Sequence, residues 1–156
     1  MKVEDAELLR RLLTERRVLS LAVVSEGEPV IGMLPFAIEP DLAAAVIHVS
    51  RLAPHGRVLA DGVPFAVLIH EPDTGESPPG QLARVRFGGA AELLARGTPT
   101  YSVARQIYAA RFPESTSTFA LGDFDLFRLP LDRGRLVAGF ARTVNLRADS
   151  LRQLLD

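Results

Sequence analysis

Cysteine and tryptophan are both absent from this chain of 156 residues. Without cysteine there is no disulfide, no zinc–thiolate site and no thiol nucleophile. Charge excess of either sign is missing as well, since the formal net charge is −1. A protein that grips nucleic acid through its phosphates is clearly basic, so no nucleic-acid partner is expected. No apolar run approaches the ~20 residues of a membrane span. The opening residues form an amphipathic charged stretch rather than a signal peptide, and a cytoplasmic protein without a membrane partner is expected. The glycines spell neither GxGxxG nor a P-loop. His48, His55 and His70 show no ligand spacing with one another or with a carboxylate, so no metal site is expected. Nothing fixes a serine on a nucleophile turn, and no catalytic residue is assigned.

What remains is an ordinary soluble composition, with 47% hydrophobic and 24% charged residues. The length suits a single domain, 1–156, that buries about two thirds of its unfolded surface. Leu8, Leu9, Leu12 and Leu13 place an apolar stripe on a helix over 4–16. Strands are expected at 18–25, 30–38, 43–49, 64–71, 82–94, 124–130 and 135–141. Pro35 cannot donate to a ladder, so it belongs at an edge, a bulge or an opening. Gly88-Gly89 suggests a bulge. A helix over 98–111 presents Val103, Ile107 and Ala110, and 114–123 reads as a loop. A last helix covers 147–156, with Leu151, Leu154 and Leu155 on one side. Most strand connections are too short for crossover helices. The expected fold is therefore mainly β, an antiparallel barrel with peripheral helices.

The segment His48-Val49-Ser50-Arg51-Leu52-Ala53-Pro54-His55-Gly56-Arg57-Val58-Leu59 carries the most chemistry. It runs from a strand through a turn into a helix over 54–61, with Pro54 suited to the first helical position. Backbone N–H groups at such a junction attract an anion, most simply a phosphate. Ser50, Arg51, His55 and Arg57 surround it. A plainer reading stays open, in which Ser50 caps the helix and the arginines are solvated. Arg84 and Arg86 share one face of a strand that could equally face water. Asp123 and Asp125 flank Phe124 and read as solvated residues at a strand start more than as an acid/base pair.

Four stretches in order, 27–39 (GEPVIGMLPFAIE), 48–61 (HVSRLAPHGRVLAD), 83–93 (ARVRFGGAAEL) and 122–129 (GDFDLFRL) with 136–142 (LVAGFAR), resemble the pyridoxamine 5′-phosphate oxidase-like family. The likeness leans to the branch that includes haem-utilisation proteins. It implies an FMN-binding split β-barrel and a homodimer with FMN between subunits. It further implies that Met33, Leu34 and Pro35 line the flavin ring with their backbone. Ser50 and Arg51 then approach the phosphate, and His55 stands where many relatives place a lysine. Arg84 falls where the oxidases carry a glutamine near the flavin. The implied function is a flavin-dependent oxidoreductase acting on a small-molecule substrate. True pyridoxamine-phosphate oxidases end in a motif with a tryptophan ahead of an Arg-Leu pair. Here tryptophan is absent and Arg128-Leu129-Pro130 sits in a different strand, so that activity is not expected. The alternatives are a haem-binding or haem-degrading protein of the same fold, and a non-catalytic dimeric ligand-binding module. Residues 138–144 hold no histidine, so a haem ligand would have to be His48, His55, His70 or a non-histidine group.

Overall fold

Two antiparallel sheets share strands that cross from one to the other, in a computed structural model that describes residues 1–152 and Leu154. Helix α1 (Val3–Glu15) leads into β1 (Val18–Ser25), β2 (Glu28–Pro35), the short β3 (Ala37–Ile38) and β4 (Ala44–Ser50). Then follow α2 (Pro54–Val58), β5 (Pro64–His70), β6 (Arg84–Ala90), the short β7 (Glu92–Leu93) and α3 (Pro99–Arg111). The chain ends through α4 (Thr116–Phe119), β8 (Phe124–Pro130), β9 (Arg133–Gly139), β10 (Arg142–Arg147) and α5 (Ala148–Arg152). One sheet has six strands in the order β10-β9-β6-β5-β1-β2, and the other has four in the order β3-β4-β8-β7.

The sheets meet at two corners. The chain leaves the larger sheet at Phe36, between β2 and β3, and at Ala91, between β6 and β7, and both residues are buried. Apolar residues of β1, β5 and β6 alternate inward, with Leu19, Leu21, Val67, Ile69, Val85 and Phe87 in the barrel core. Strand β4 is buried along Ala44–Val49, on both faces. Its inner face joins the barrel, while its outer face, with Val46, packs under α3 in a second cluster with Ala104, Tyr108, Phe112, Phe119 and Leu126. Helix α1 puts Leu9, Leu12 and Leu13 into the barrel core, as their spacing predicts.

Several expectations need correction. The strand expected at 30–38 is broken at Phe36 and the one at 82–94 at Ala91, because both change sheets there. No bulge occurs at Gly88-Gly89, since the β5–β6 register runs unbroken from Pro64↔Ala90 to His70↔Arg84. Those glycines instead lie against Phe65, whose carbonyl would stand a tight 3.3 Å from a Cβ on Gly88 and whose ring would make ordinary contact with one on Gly89. Residues 142–147 form an unexpected tenth strand, and the last helix begins at Ala148. Leu151 and Leu154 are buried, whereas Leu155 lies outside the described residues. Helix α3 buries Ala104 and Tyr108, leaving Val103 and Ala110 exposed. The expected loop at 114–123 contains α4, whose Phe119 packs on His48.

Candidate functional site

The barrel is open between β2 and β4. Among the described residues β2 bonds only to β1, and its other edge carries no strand. Pro35 accordingly sits on an edge strand, where its missing N–H costs no ladder bond. Strand β3 bonds only to Ala45 and Val46 of β4, so residues 47–50 of β4 are bonded on the β8 side alone. Helix α2 packs into this opening against β1, β2 and β4. Two glycines permit that approach. A Cβ on Gly56 would stand 1.9 Å from the Ser50 carbonyl oxygen, and one on Gly32 would stand 2.3 Å from Nδ1 of His55. Burial lowers the His55 pKa below its ordinary value, so the imidazole at this opening is neutral near pH 7.

Ser50 and Arg51 stand at the end of β4, as the sequence predicts, but both already hold acidic partners. Ser50 Oγ donates to Asp123 at 2.8 Å and accepts from the Leu52 amide at 3.1 Å. Arg51 donates to Asp125 at 2.6 Å and to the carbonyl of Gly122. The β4–β8 register, Val49↔Asp125 and Ser50↔Phe124, brings the carboxylates there from the far end of the sequence. They are therefore not merely solvated residues at a strand start. Ser50 is not a helix cap either, because Ala53 precedes α2 and no side chain caps it. Helix α2 ends at Val58, shorter than the expected 54–61.

His48 is out of reach of this opening. Its ring stacks on Phe119 at 3.9 Å between centroids and lies 4.8 Å from Phe124 and 5.8 Å from Tyr108. Its Nδ1 is 3.3 Å from the Thr118 hydroxyl. Burial first, then the charge of Arg96, push its pKa down to about 4.

Met33, Leu34 and Pro35 divide across the sheet. Leu34 is buried toward the barrel, while Met33 is 71% exposed on the outer face. There the register aligns Met33, Ser20, Leu68, Arg86 and Arg135 in one row; next to it Val18 pairs with Pro35, and His70 with Arg84, which pairs with Val137. Exposed Val18, Val24, Ile31, Met33 and Leu68 make the β2–β1–β5 half apolar. Arg84, Arg86 and Arg135 make the β6–β9 half cationic. Arg84 donates to the carbonyls of Leu82 and Gly80. It lies three strand spacings from Pro35, about 14 Å. Within one chain it therefore does not join Ser50, Arg51 and His55.

A cleft of about 460 Å³ opens on this face, with Val18, Met33, Leu68 and His70 beside Arg16 and Arg17. Sequence reading missed Arg16 and Arg17, which look like ordinary charges at the end of α1. His70 Nδ1 contacts the Glu71 carbonyl at 2.7 Å, which leaves Nε2 free of that bond. Among the described residues no group of three His, Asp or Glu side chains could hold a metal ion, and no helix is long and apolar enough to cross a membrane.

No protein-family model matches the chain. Among curated proteins, it is 26% identical over 145 residues to heme oxygenase HutZ of Vibrio cholerae, covering 92% of this chain and 81% of that protein. Among solved structures, a heme binding protein from Mycobacterium smegmatis superposes with a TM-score of 0.83 at 26% identity. That match covers 98% of this chain but 62% of the other, so the chain spans less than two thirds of that relative's length. An FAD and heme binding protein from the same organism shares the fold, with a TM-score of 0.65 at 22% identity over 90% of this chain and 81% of that one. The ordered motifs, the two sheets with their crossing strands and these likenesses show a split β-barrel fold and support the resemblance to pyridoxamine 5′-phosphate oxidase-like proteins, on the side of the haem-utilisation proteins.

Proposed function

We propose that the chain is an FMN-binding oxidoreductase that works as a homodimer. The observation that carries this reading is the opening between the edge of β2 and the end of β4, with Ser50, Arg51 and His55 beside it. A hydroxyl, a guanidinium and an imidazole fit a phosphomonoester dianion. The guanidinium would exchange Asp125 for phosphate, a charge-assisted bond for another of the same kind. The β2 edge at Met33–Pro35 offers backbone groups to a flat heterocycle. FMN supplies electron and hydride transfer when bound, while the protein supplies position and electrostatics. Dimerisation is supported by the exposed apolar half of the six-stranded sheet, which a second copy would cover. The same association would bring Arg84 and Arg86 of one copy toward the opening of the other. The test is titration of the flavin-free protein with FMN, read by flavin fluorescence. Saturable binding that weakens in Arg51→Ala with His55→Ala, and less in Arg86→Ala, is expected. Absence of binding overturns the reading.

A second reading, haem binding, is favoured by the outer-face cleft. His70 would offer an imidazole to the iron, Met33, Leu68 and Val18 would offer apolar walls, and Arg16 and Arg17 would suit carboxylates. Both the curated relative and the structural relatives carry heme in their names. His48 and His55 do not suit this reading, the first being stacked and buried and the second packed on Gly32. Haem titration should give a Soret shift that His70→Ala removes. An unchanged shift in that variant rules out His70 as the ligand.

A further inference from the structure

A second cleft, of about 360 Å³, lies between α1 and α3, away from the opening at β2 and β4. Leu13, Ile38, Leu42 and Ile107 supply its apolar lining, and Arg10 and Arg111 its positive charge. Glu39 also borders it, but both of its carboxylate oxygens accept from Arg128, at 2.7 and 2.8 Å. Arg10 makes no ion pair among the described residues. Arg111 donates one N–H to the Arg16 carbonyl at 2.7 Å, while its Nε is buried with no partner among the described residues. The charge nearest in effect to Arg111 is another cation, Arg17, and both guanidinium groups lie over the Phe112 ring. Burial and Arg17 together disfavour the charged form of Arg111. Arg111 is half-buried, and among the described residues the protein accepts one hydrogen bond from its guanidinium while the buried Nε has none.

We propose that this cleft binds a small amphipathic carboxylate, its apolar chain on Leu13, Leu42 and Ile107 and its carboxylate between Arg10 and Arg111. Charge complementarity selects the class. A fully polar anion would leave the apolar lining wet, and a neutral lipid would leave both guanidinium groups uncompensated. The volume falls within the range of small-molecule sites. The site is separate from the opening proposed for flavin, so the two ligands do not compete.

Octanoate is the probe, with 1-octanol as its uncharged counterpart. Calorimetric titration of the full chain should show saturable octanoate binding. Loss of one charge-assisted bond in Arg111→Gln should weaken it about ten-fold or more, and 1-octanol should be weaker by a similar factor. Ala110→Trp fills the cleft from an exposed position of α3, so it should abolish binding while leaving the thermal unfolding midpoint in place. Arg10→Gln should weaken binding without touching any buried contact, which keeps the test sharp if Arg111→Gln does not fold. Backbone amide shifts should cluster on α1 and α3, and FMN titration should be unchanged by octanoate. The proposal is overturned by any of three results: no saturation, octanoate affinity unchanged in Ala110→Trp, or shifts centred on the six-stranded sheet.

Discussion

Arg51 donates to Asp125 at 2.6 Å across the β4–β8 ladder, so the guanidinium proposed to meet a phosphate is held by a carboxylate of its own chain. An anion entering the opening competes with that carboxylate. Asp125→Asn keeps the shape and removes the charge, and it should tighten FMN binding several-fold by fluorescence titration. Asp123→Asn should do the same more weakly, through Ser50. Weaker binding in Asp125→Asn would mean that Asp125 orients Arg51 for the ligand rather than competing with it.

Gly32 is tied to His55 in a comparable way. An alanine Cβ there would overlap the imidazole, and the ring can escape only by swinging off β2. Gly32→Ala should therefore move the His55 pKa back up toward its ordinary value, because the shift is caused by burial. Proton NMR titration of the ring reads this directly. The accompanying loss of stability should be about 1 kcal/mol and should shrink in the His55→Ala background. An unmoved titration would show that the backbone of α2 shifts instead.

These two pairs also mark what a sequence reading can reach. The strand ending at Ser50 was legible from Val46, Ile47 and Val49, and the turn into α2 from Pro54. Neither Asp123 nor Asp125 announces its contact, because strand register decides it across more than 70 residues of chain. The tenth strand is weakly marked in sequence because its alternation is only two apolar residues long, half-buried Val144 and buried Leu146. Thr116, Ser117 and Thr118 are weak helix formers, and tertiary packing of Phe119 on His48 accounts for α4. The same aromatic cluster turns α3 so that Tyr108 faces inward and Val103 outward.

Solution association tests the outer face. Met33 is 71% exposed on β2, the edge strand of the apolar half of the six-stranded sheet. Met33→Asp should convert a dimer to a monomer in sedimentation, with the unfolding midpoint of the monomer little changed. Arg135→Ala, on the cationic half, should alter the salt dependence of association more than its strength at low salt. A wild-type monomer at micromolar concentration would remove the dimer from the proposed function.

Asp5 is buried, and Arg142 at the start of β10 pairs with it, so α1 is latched to the far edge of the larger sheet. Glu4 adds a longer contact to the same guanidinium at 3.6 Å. Arg142→Ala leaves the Asp5 carboxylate without its cation and should cost about 2 kcal/mol in denaturant unfolding, less than for a fully buried pair because Arg142 is half exposed. Asp5→Asn with Arg142→Ala should recover part of that loss. A larger loss in the double variant would show that the Asp5 charge has another partner.

His48 makes stability depend on pH with a definite sign. The folded imidazole titrates near 4, below its ordinary 6.5, chiefly because Phe119, Tyr108 and Phe124 bury it and secondarily because of Arg96. Between these values the unfolded chain binds a proton that the folded chain refuses, so stability falls as pH drops from 6.5 to about 4 and is flat in this group above 6.5. The loss across that window should be on the order of 2–3 kcal/mol. Asp125 opposes the shift, so Asp125→Asn should steepen the decline slightly. His48→Phe keeps an aromatic ring against Phe119 and removes the proton site. Its unfolding midpoint should fall less between pH 6.5 and 4 than that of the natural chain, the carboxylates contributing equally to both. Parallel midpoints in the two proteins would place the acid sensitivity on other groups.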